Sequence, residues 1–188
     1  ALPIFYQEIP LAPESSVRVT ASRRGFLRMG RRAVEPALRP PWALDEVLFL
    51  DRCTRCDRCI EVCPTRILTR MDGGFPGVDF SRGECTFCGD CVRGCEPQAL
   101  LRSDPAASPW AMVAAIGADC LAVRGVECRV CGEACPEGAI RFRLQLGGVA
   151  QPVLDAGGCT GCGACIGPCP TRAIAMQSDN TIPTERET

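Results

Sequence analysis

The sequence predicts an α+β protein: two tandem modules of short helices and hairpins behind an irregular N-terminal arm. Three observations predict it. A cysteine-rich unit occurs four times in 188 residues. Gly-rich hairpin signals follow the first and third units, and an apolar stretch opened by Ser103-Asp104-Pro105 divides the second from the third. A repeat this short cannot bury a face alone, so the four units must pack on one another.

Residues 1–50 contain no cysteine and form an N-terminal extension with a basic arm. The first seventeen residues hold three prolines and no periodicity, which reads as irregular chain. Pro40-Pro41-Trp42 leads into Leu44–Leu50, one or two helical turns packed against the first module, residues 51–103. Within it, I-L-T-R-M-D-G-G-F-P-G-V-D-F gives two apolar patches around a glycine pair, a hairpin signal. Residues 104–119 begin with Asp and Pro and continue as W-A-M-V-A-A-I, which predicts a short linker helix. The second module spans 120–176, with a stronger hairpin signal in A-I-R-F-R-L-Q-L-G-G-V-A-Q-P-V-L-D, and 177–188 is a polar tail.

Composition narrows the class. The chain has 16 Cys, 19 Gly and 16 Pro, no His, and only 5% aromatic residues, so cross-links or metal must supply much of the stability. A secreted disulfide scaffold and an intracellular metal protein are the two readings, and cysteine spacing decides between them. No charged n-region followed by an apolar h-region is visible, and the longest apolar run, Trp110–Ala118, is far short of a membrane span. A soluble monomer in a reducing compartment is expected.

All 21 basic residues are arginines and the formal net charge is -1. Seven arginines against one glutamate between Arg18 and Arg39 leave that segment at +6, so the rest of the chain carries -7. An acidic body makes nucleic acid an unsuitable partner.

The units read C-T-R-C-D-R-C-I-E-V-C-P from Cys53, C-T-F-C-G-D-C-V-R-G-C-E-P from Cys85, and C-T-G-C-G-A-C-I-G-P-C-P from Cys159. In the third unit seven residues separate Cys120 from C-R-V-C-G-E-A-C-P. The pattern C-x2-C-x2-C-x3-C-P is that of bacterial ferredoxins holding [4Fe–4S] clusters. Gaps of two let a tightly curved loop aim three thiolates at three corners of a cubane. The fourth cysteine, about a helical turn later, ligates the other cluster of the pair.

Crossed pairing gives four ligand sets for four [4Fe–4S] clusters. The first is Cys53, Cys56, Cys59 and Cys95; the second is Cys85, Cys88, Cys91 and Cys63. The third is Cys120, Cys128, Cys131 and Cys169; the fourth is Cys159, Cys162, Cys165 and Cys135. A nested pairing, repeat one with four and two with three, is the alternative. Zinc commonly takes two separated C-x2-4-C knuckles instead, and such short gaps offer disulfides poor geometry. The long gap after Cys120 leaves open that this residue is a buried free thiol. Without histidine there is no Ser-His or Cys-His relay, and no G-x-G-x-x-G or Walker loop occurs, so a non-enzymatic redox role is expected.

Ser22-Arg23-Arg24-Gly25-Phe26-Leu27 matches a twin-arginine export pattern, but no apolar h-region or cleavage site follows. A basic docking arm formed by Arg23, Arg24, Arg28, Arg31 and Arg32 and a solvated charge run are the other readings.

With these residues in view, the chain resembles the ferredoxin-type NapF family. The most specific marks are A-S-R-R-G-F-L-R at 21–28, R-P-P-W at 39–42, F-L-D-R-C-T-R-C-D at 49–57 and I-G-A-D-C-L-A-V-R-G-V-E-C-R-V-C at 116–131. That last stretch shares the family's long first gap, which favours Cys120 as a ligand. The resemblance implies a cytoplasmic accessory protein with four [4Fe–4S] clusters. It further implies contact with the catalytic subunit of periplasmic nitrate reductase, as a cytoplasmic precursor, to assist its maturation. A polyferredoxin relaying electrons between redox partners is the other function class.

Overall fold

The computed structural model describes residues 38–104 and 108–178, which form an assembly of short helices and two-stranded sheets. The first helix, α1 (Glu46–Arg52), starts where Asp45 accepts a hydrogen bond from the Leu48 N–H at 3.2 Å, with Glu46 in its first turn and Arg52 in its last. Both charges suit the helix dipole. Its inward residue, Phe49, is fully buried. The Arg39 guanidinium grips the Glu46 carboxylate at 2.7 and 2.9 Å and lies 4.9 Å over the Phe49 ring. Hydrogen bonding to Arg39 holds the Glu46 carboxyl below its usual range, against a smaller opposing effect of burial.

The expected hairpins are both antiparallel pairs. In the first module β1 (Leu68–Arg70) pairs with β2 (Pro76–Val78), Thr69 opposite Gly77. The turn between them needs two left-handed residues, and Gly73 and Gly74 adopt φ of 73° and 79° without Cβ strain. In the second module β4 (Ile140–Arg143) pairs with β5 (Gln151–Leu154).

The expected linker helix over 104–119 is not formed. Residues Met112–Ile116 are instead a strand, β3, paired antiparallel over five residues with β6 (Ile174–Ser178). Alanine-rich composition favoured a helix locally, but Val113 and Ala114 are buried in that ladder, and tertiary pairing overrides a weak local preference. The second module is therefore closed by a strand from the segment expected as a linker, paired with the module's last strand. The first module closes similarly but minimally: Ala43 and Leu100 form an isolated antiparallel bridge, flanked by Leu44 N–H to Ala99 O at 3.1 Å and Leu101 N–H to Trp42 O at 2.8 Å.

Two apolar cores flank the cysteines. One contains Phe49, Ile67, Leu68, Val78, Phe80, Ala99 and Leu100; the other contains Ala114, Ile140 and Ile174. Ile166 and Met176 pack against both. Phe80 meets Trp110 edge-on with ring centroids 5.8 Å apart, and Phe87 does so at 6.1 Å. No helix among the described residues is long and apolar enough to cross a membrane. The arginines of the arm and the tail beyond residue 178 lie outside the described residues.

Candidate iron–sulfur centres

Two backbone devices, each used by three of the four repeats, place the cysteines. The third cysteine of the first three repeats rides on a single helical turn: Cys59 on α2 (Arg58–Glu61), Cys91 on α3 (Asp90–Arg93) and Cys131 on α4 (Val130–Glu133). In repeats one, two and four the second cysteine sits between two left-handed residues: Arg55 and Asp57 around Cys56, Phe87 and Gly89 around Cys88, Gly161 and Gly163 around Cys162. Non-glycine residues rarely take this conformation, so its recurrence at equivalent positions marks a loop shaped for a purpose. Alternating hand turns successive N–H groups into a concave face that suits an anion. A further left-handed residue stands three places after each fourth cysteine: Arg66, Gln98, Gly138 and Arg172.

The third repeat lacks the left-handed pair, since Arg129 has φ -133°. Its seven extra residues close on themselves instead. Arg124 N–H bonds Cys120 O at 3.0 Å and Val126 N–H bonds Leu121 O at 2.8 Å, with Gly125 at φ 82° making the reversal. The loop leaves Cys120 and Cys128 facing one chamber.

Three chambers are walled by cysteines. Cys53, Cys56, Cys59 and Cys95 line one. Cys63, Cys85, Cys88 and Cys91 line a second, and Cys120, Cys128, Cys131 and Cys169 a third. In each, the fourth thiol comes from the other repeat of the same module. Of the remaining set, Cys159 and Cys162 lie close enough to Cys165 to perturb its ionisation. None of the sixteen cysteines forms a disulfide. Four thiols spread around a chamber suit a multi-atom cluster.

The electrostatics fit the same occupant. Burial, reinforced by neighbouring cysteines, pushes the Cys59 and Cys85 thiols up to about 11 and those of Cys91 and Cys165 up to about 12. Thiolates crowded in this way need positive charge among them, which iron supplies. Cys63 and Cys169 differ. Burial raises both, but hydroxyl bonds from Thr65 and Thr171 and nearby backbone N–H groups outweigh it and leave each below the usual thiol value. These two threonines were not singled out from sequence; their signal is the shared Cys-Pro-Thr-Arg exit of repeats one and four.

The loops of repeats two and four abut. Cys85 N–H donates to the Cys162 carbonyl at 2.8 Å. A Cβ on Gly163 would collide with Cγ, Cδ1 and Cε1 of Phe80, and one on Gly161 would sit 2.5 Å from Trp110 Nε1 and 2.6 Å from the Met112 carbonyl. Those glycines are needed for close approach as well as for conformation.

Residues 52–100 and 125–173 each match the 4Fe-4S dicluster domain family. The chain is 50% identical over 139 residues to the ferredoxin-type protein NapF of Haemophilus influenzae, covering 74% of this chain and 78% of that one. It is 44% identical over 161 residues to the NapF of Escherichia coli K12, covering 86% of this chain and 97% of that one. The chain belongs to the ferredoxin-type NapF family. It is also 31% identical over 160 residues to the ferredoxin-type protein NapG of Escherichia coli K12. A NapF-family chain with two dicluster domains is a ferredoxin-type iron–sulfur protein, and its cofactors are [4Fe–4S] clusters.

Proposed function

We propose that this NapF-family chain holds four [4Fe–4S] clusters on its sixteen cysteines. They are held by Cys53, Cys56, Cys59 and Cys95; by Cys85, Cys88, Cys91 and Cys63; by Cys120, Cys128, Cys131 and Cys169; and by Cys159, Cys162, Cys165 and Cys135. The chain serves in the cytoplasm as an accessory factor that matures the precursor of the periplasmic nitrate reductase catalytic subunit. The observation that carries this reading is the set of crossed cysteine chambers in a chain 44% identical to a NapF over 97% of that protein's length. When bound, the clusters supply one-electron chemistry, and the chain itself is not an enzyme.

The chain's own part is to shield the clusters with Phe49, Leu68 and Ile174, to fix the thiols on short helical turns, and to present a basic arm. That arm, with Arg23, Arg24, Arg28, Arg31 and Arg32, is the docking element for the precursor. An anaerobic pull-down of the reductase precursor with intact and arm-deleted chains tests this. Capture by the intact chain alone supports it; equal capture by both refutes the role of the arm.

A second reading, an electron-transfer polyferredoxin, has one observation in its favour. The Cys85 N–H···O=C Cys162 bond links the cysteine loops of the two modules directly. A maturation factor has no evident need of that link. Deleting the gene separates the readings: maturation predicts inactive reductase, and relay predicts intact reductase that lacks reductant.

A further inference from the structure

Repeats one and four end in the same four residues, Cys63-Pro64-Thr65-Arg66 and Cys169-Pro170-Thr171-Arg172. In each, the threonine hydroxyl lies on the sulfur of its own repeat's fourth cysteine: Thr65 Oγ1 is 3.7 Å from Cys63 Sγ, and Thr171 Oγ1 is 3.8 Å from Cys169 Sγ. Both threonines are half-buried and line the chambers of those cysteines. Repeats two and three have Pro97 and Glu137 in the same place, and neither carries a hydroxyl. The next residue is left-handed in all four, with φ of 56° at Arg66 and Gln98, 52° at Arg172 and 61° at Gly138. The exits therefore share a backbone turn and differ in the side chain at this position.

We propose that Thr65 and Thr171 are potential-setting residues: each donates its O–H to one cluster-ligating sulfur and raises the reduction potential of one cluster per module above that of its neighbour. This rests on the reading that Cys63 and Cys169 are ligands. A thiolate bound to iron has no proton, so in the loaded protein the hydroxyl must be the donor. Reduction of such a cluster adds one electron, breaks no bond and moves no proton; the extra negative charge spreads onto the sulfurs. A hydrogen bond to sulfur then strengthens and favours the reduced form. Cys169 accepts a further bond from the Ala173 N–H at 3.3 Å.

The test is an anaerobic titration of the full-length holo-protein with dithionite as electron donor, followed by EPR of the reduced clusters. Thr65→Val should lower the potential of one cluster, and Thr171→Val that of another. Each change should amount to about threefold to tenfold in the reduction equilibrium, the size of one hydrogen bond, with tenfold corresponding to about 59 mV for one electron. Thr65→Ser and Thr171→Ser should restore the wild-type values. Pro97→Thr, compared with Pro97→Val, should raise the potential of the cluster that includes Cys95.

Unmoved potentials in valine variants with full iron content would overturn the proposal, as would serine variants that shift as far as valine. If the valine variants lose iron, Pro97→Thr decides, and an unmoved potential there overturns it. Wild-type protein with fewer than four clusters would instead overturn the ligand reading beneath it.

Discussion

Replacing Gly163 by alanine is a sharp test of whether the two modules are one packed body. A Cβ at Gly163 would fall far inside contact distance of the Phe80 Cγ, Cδ1 and Cε1 atoms, and φ is 80°. Left-handed backbone costs an L-residue about 1–2 kcal/mol. Forcing a methyl into a filled contact costs about 1–3 kcal/mol more. Gly163→Ala should therefore destabilise the holo-protein by roughly 2–5 kcal/mol, the sum of those two ranges. The assay is the rate at which guanidinium bleaches the visible absorbance of anaerobic protein, which should rise at least about thirtyfold for a loss of 2 kcal/mol. Phe80→Ala in the same chain removes the ring that the new methyl strikes. The double variant should consequently be less damaged than the sum of the singles, since residues in contact couple by about 0.5–3 kcal/mol. Additive effects, or a harmless Gly163→Ala, would refute the packing of repeat two on repeat four.

Phe49→Ala, which empties a fully buried site beneath the first cysteine chamber, should cost about 3–5 kcal/mol by denaturant midpoint. Crossed ligation predicts that Cys63→Ser alters the cluster shared with Cys85, Cys88 and Cys91, while Cys95→Ser alters the one shared with Cys53, Cys56 and Cys59; EPR changes confined to the second module in either variant would contradict it. Chelating the iron should collapse the fold, because the ligand chambers are not preformed in an unfolded chain, and an apo-protein with a cooperative native-like melting transition would count against this. Neutralising Arg23, Arg24, Arg28, Arg31 and Arg32 should leave iron content unchanged yet weaken precursor binding and flatten its salt dependence, as expected where charges screened over about 8–10 Å steer the encounter; unaltered binding would shift docking to the cysteine-bearing body.

The cysteine repeats were legible because ligand spacing is a local code: gaps of two and three residues suffice to bend a loop around a cluster. Both hairpins were legible for a similar reason, since Gly73-Gly74 and Gly147-Gly148 mark the reversals within a few residues of each strand. The strand at Met112–Ile116 was not. Its partner, Ile174–Ser178, is some sixty residues away, and an alanine-rich pentapeptide does not announce a distant ladder. The junction of Cys85 with Cys162, and the packing of Phe80 on Gly163, were hidden on the same grounds.

Cys120 falls between these cases. Its long gap left two readings open on spacing alone, and hydrogen bonds within 121–127 bring it beside Cys128. Thr65 and Thr171 were visible in a repeated tetrapeptide, but only the distance from hydroxyl to sulfur gives them a role.

The central claim is that sixteen cysteines hold four [4Fe–4S] clusters, and quantifying iron and acid-labile sulfide in anaerobically purified full-length protein tests it most directly. About sixteen of each per chain is the predicted result, with a brown solution and cluster-type Mössbauer signals. Stoichiometric zinc with little sulfide, or about eight iron and eight sulfide per fully folded chain, would contradict it.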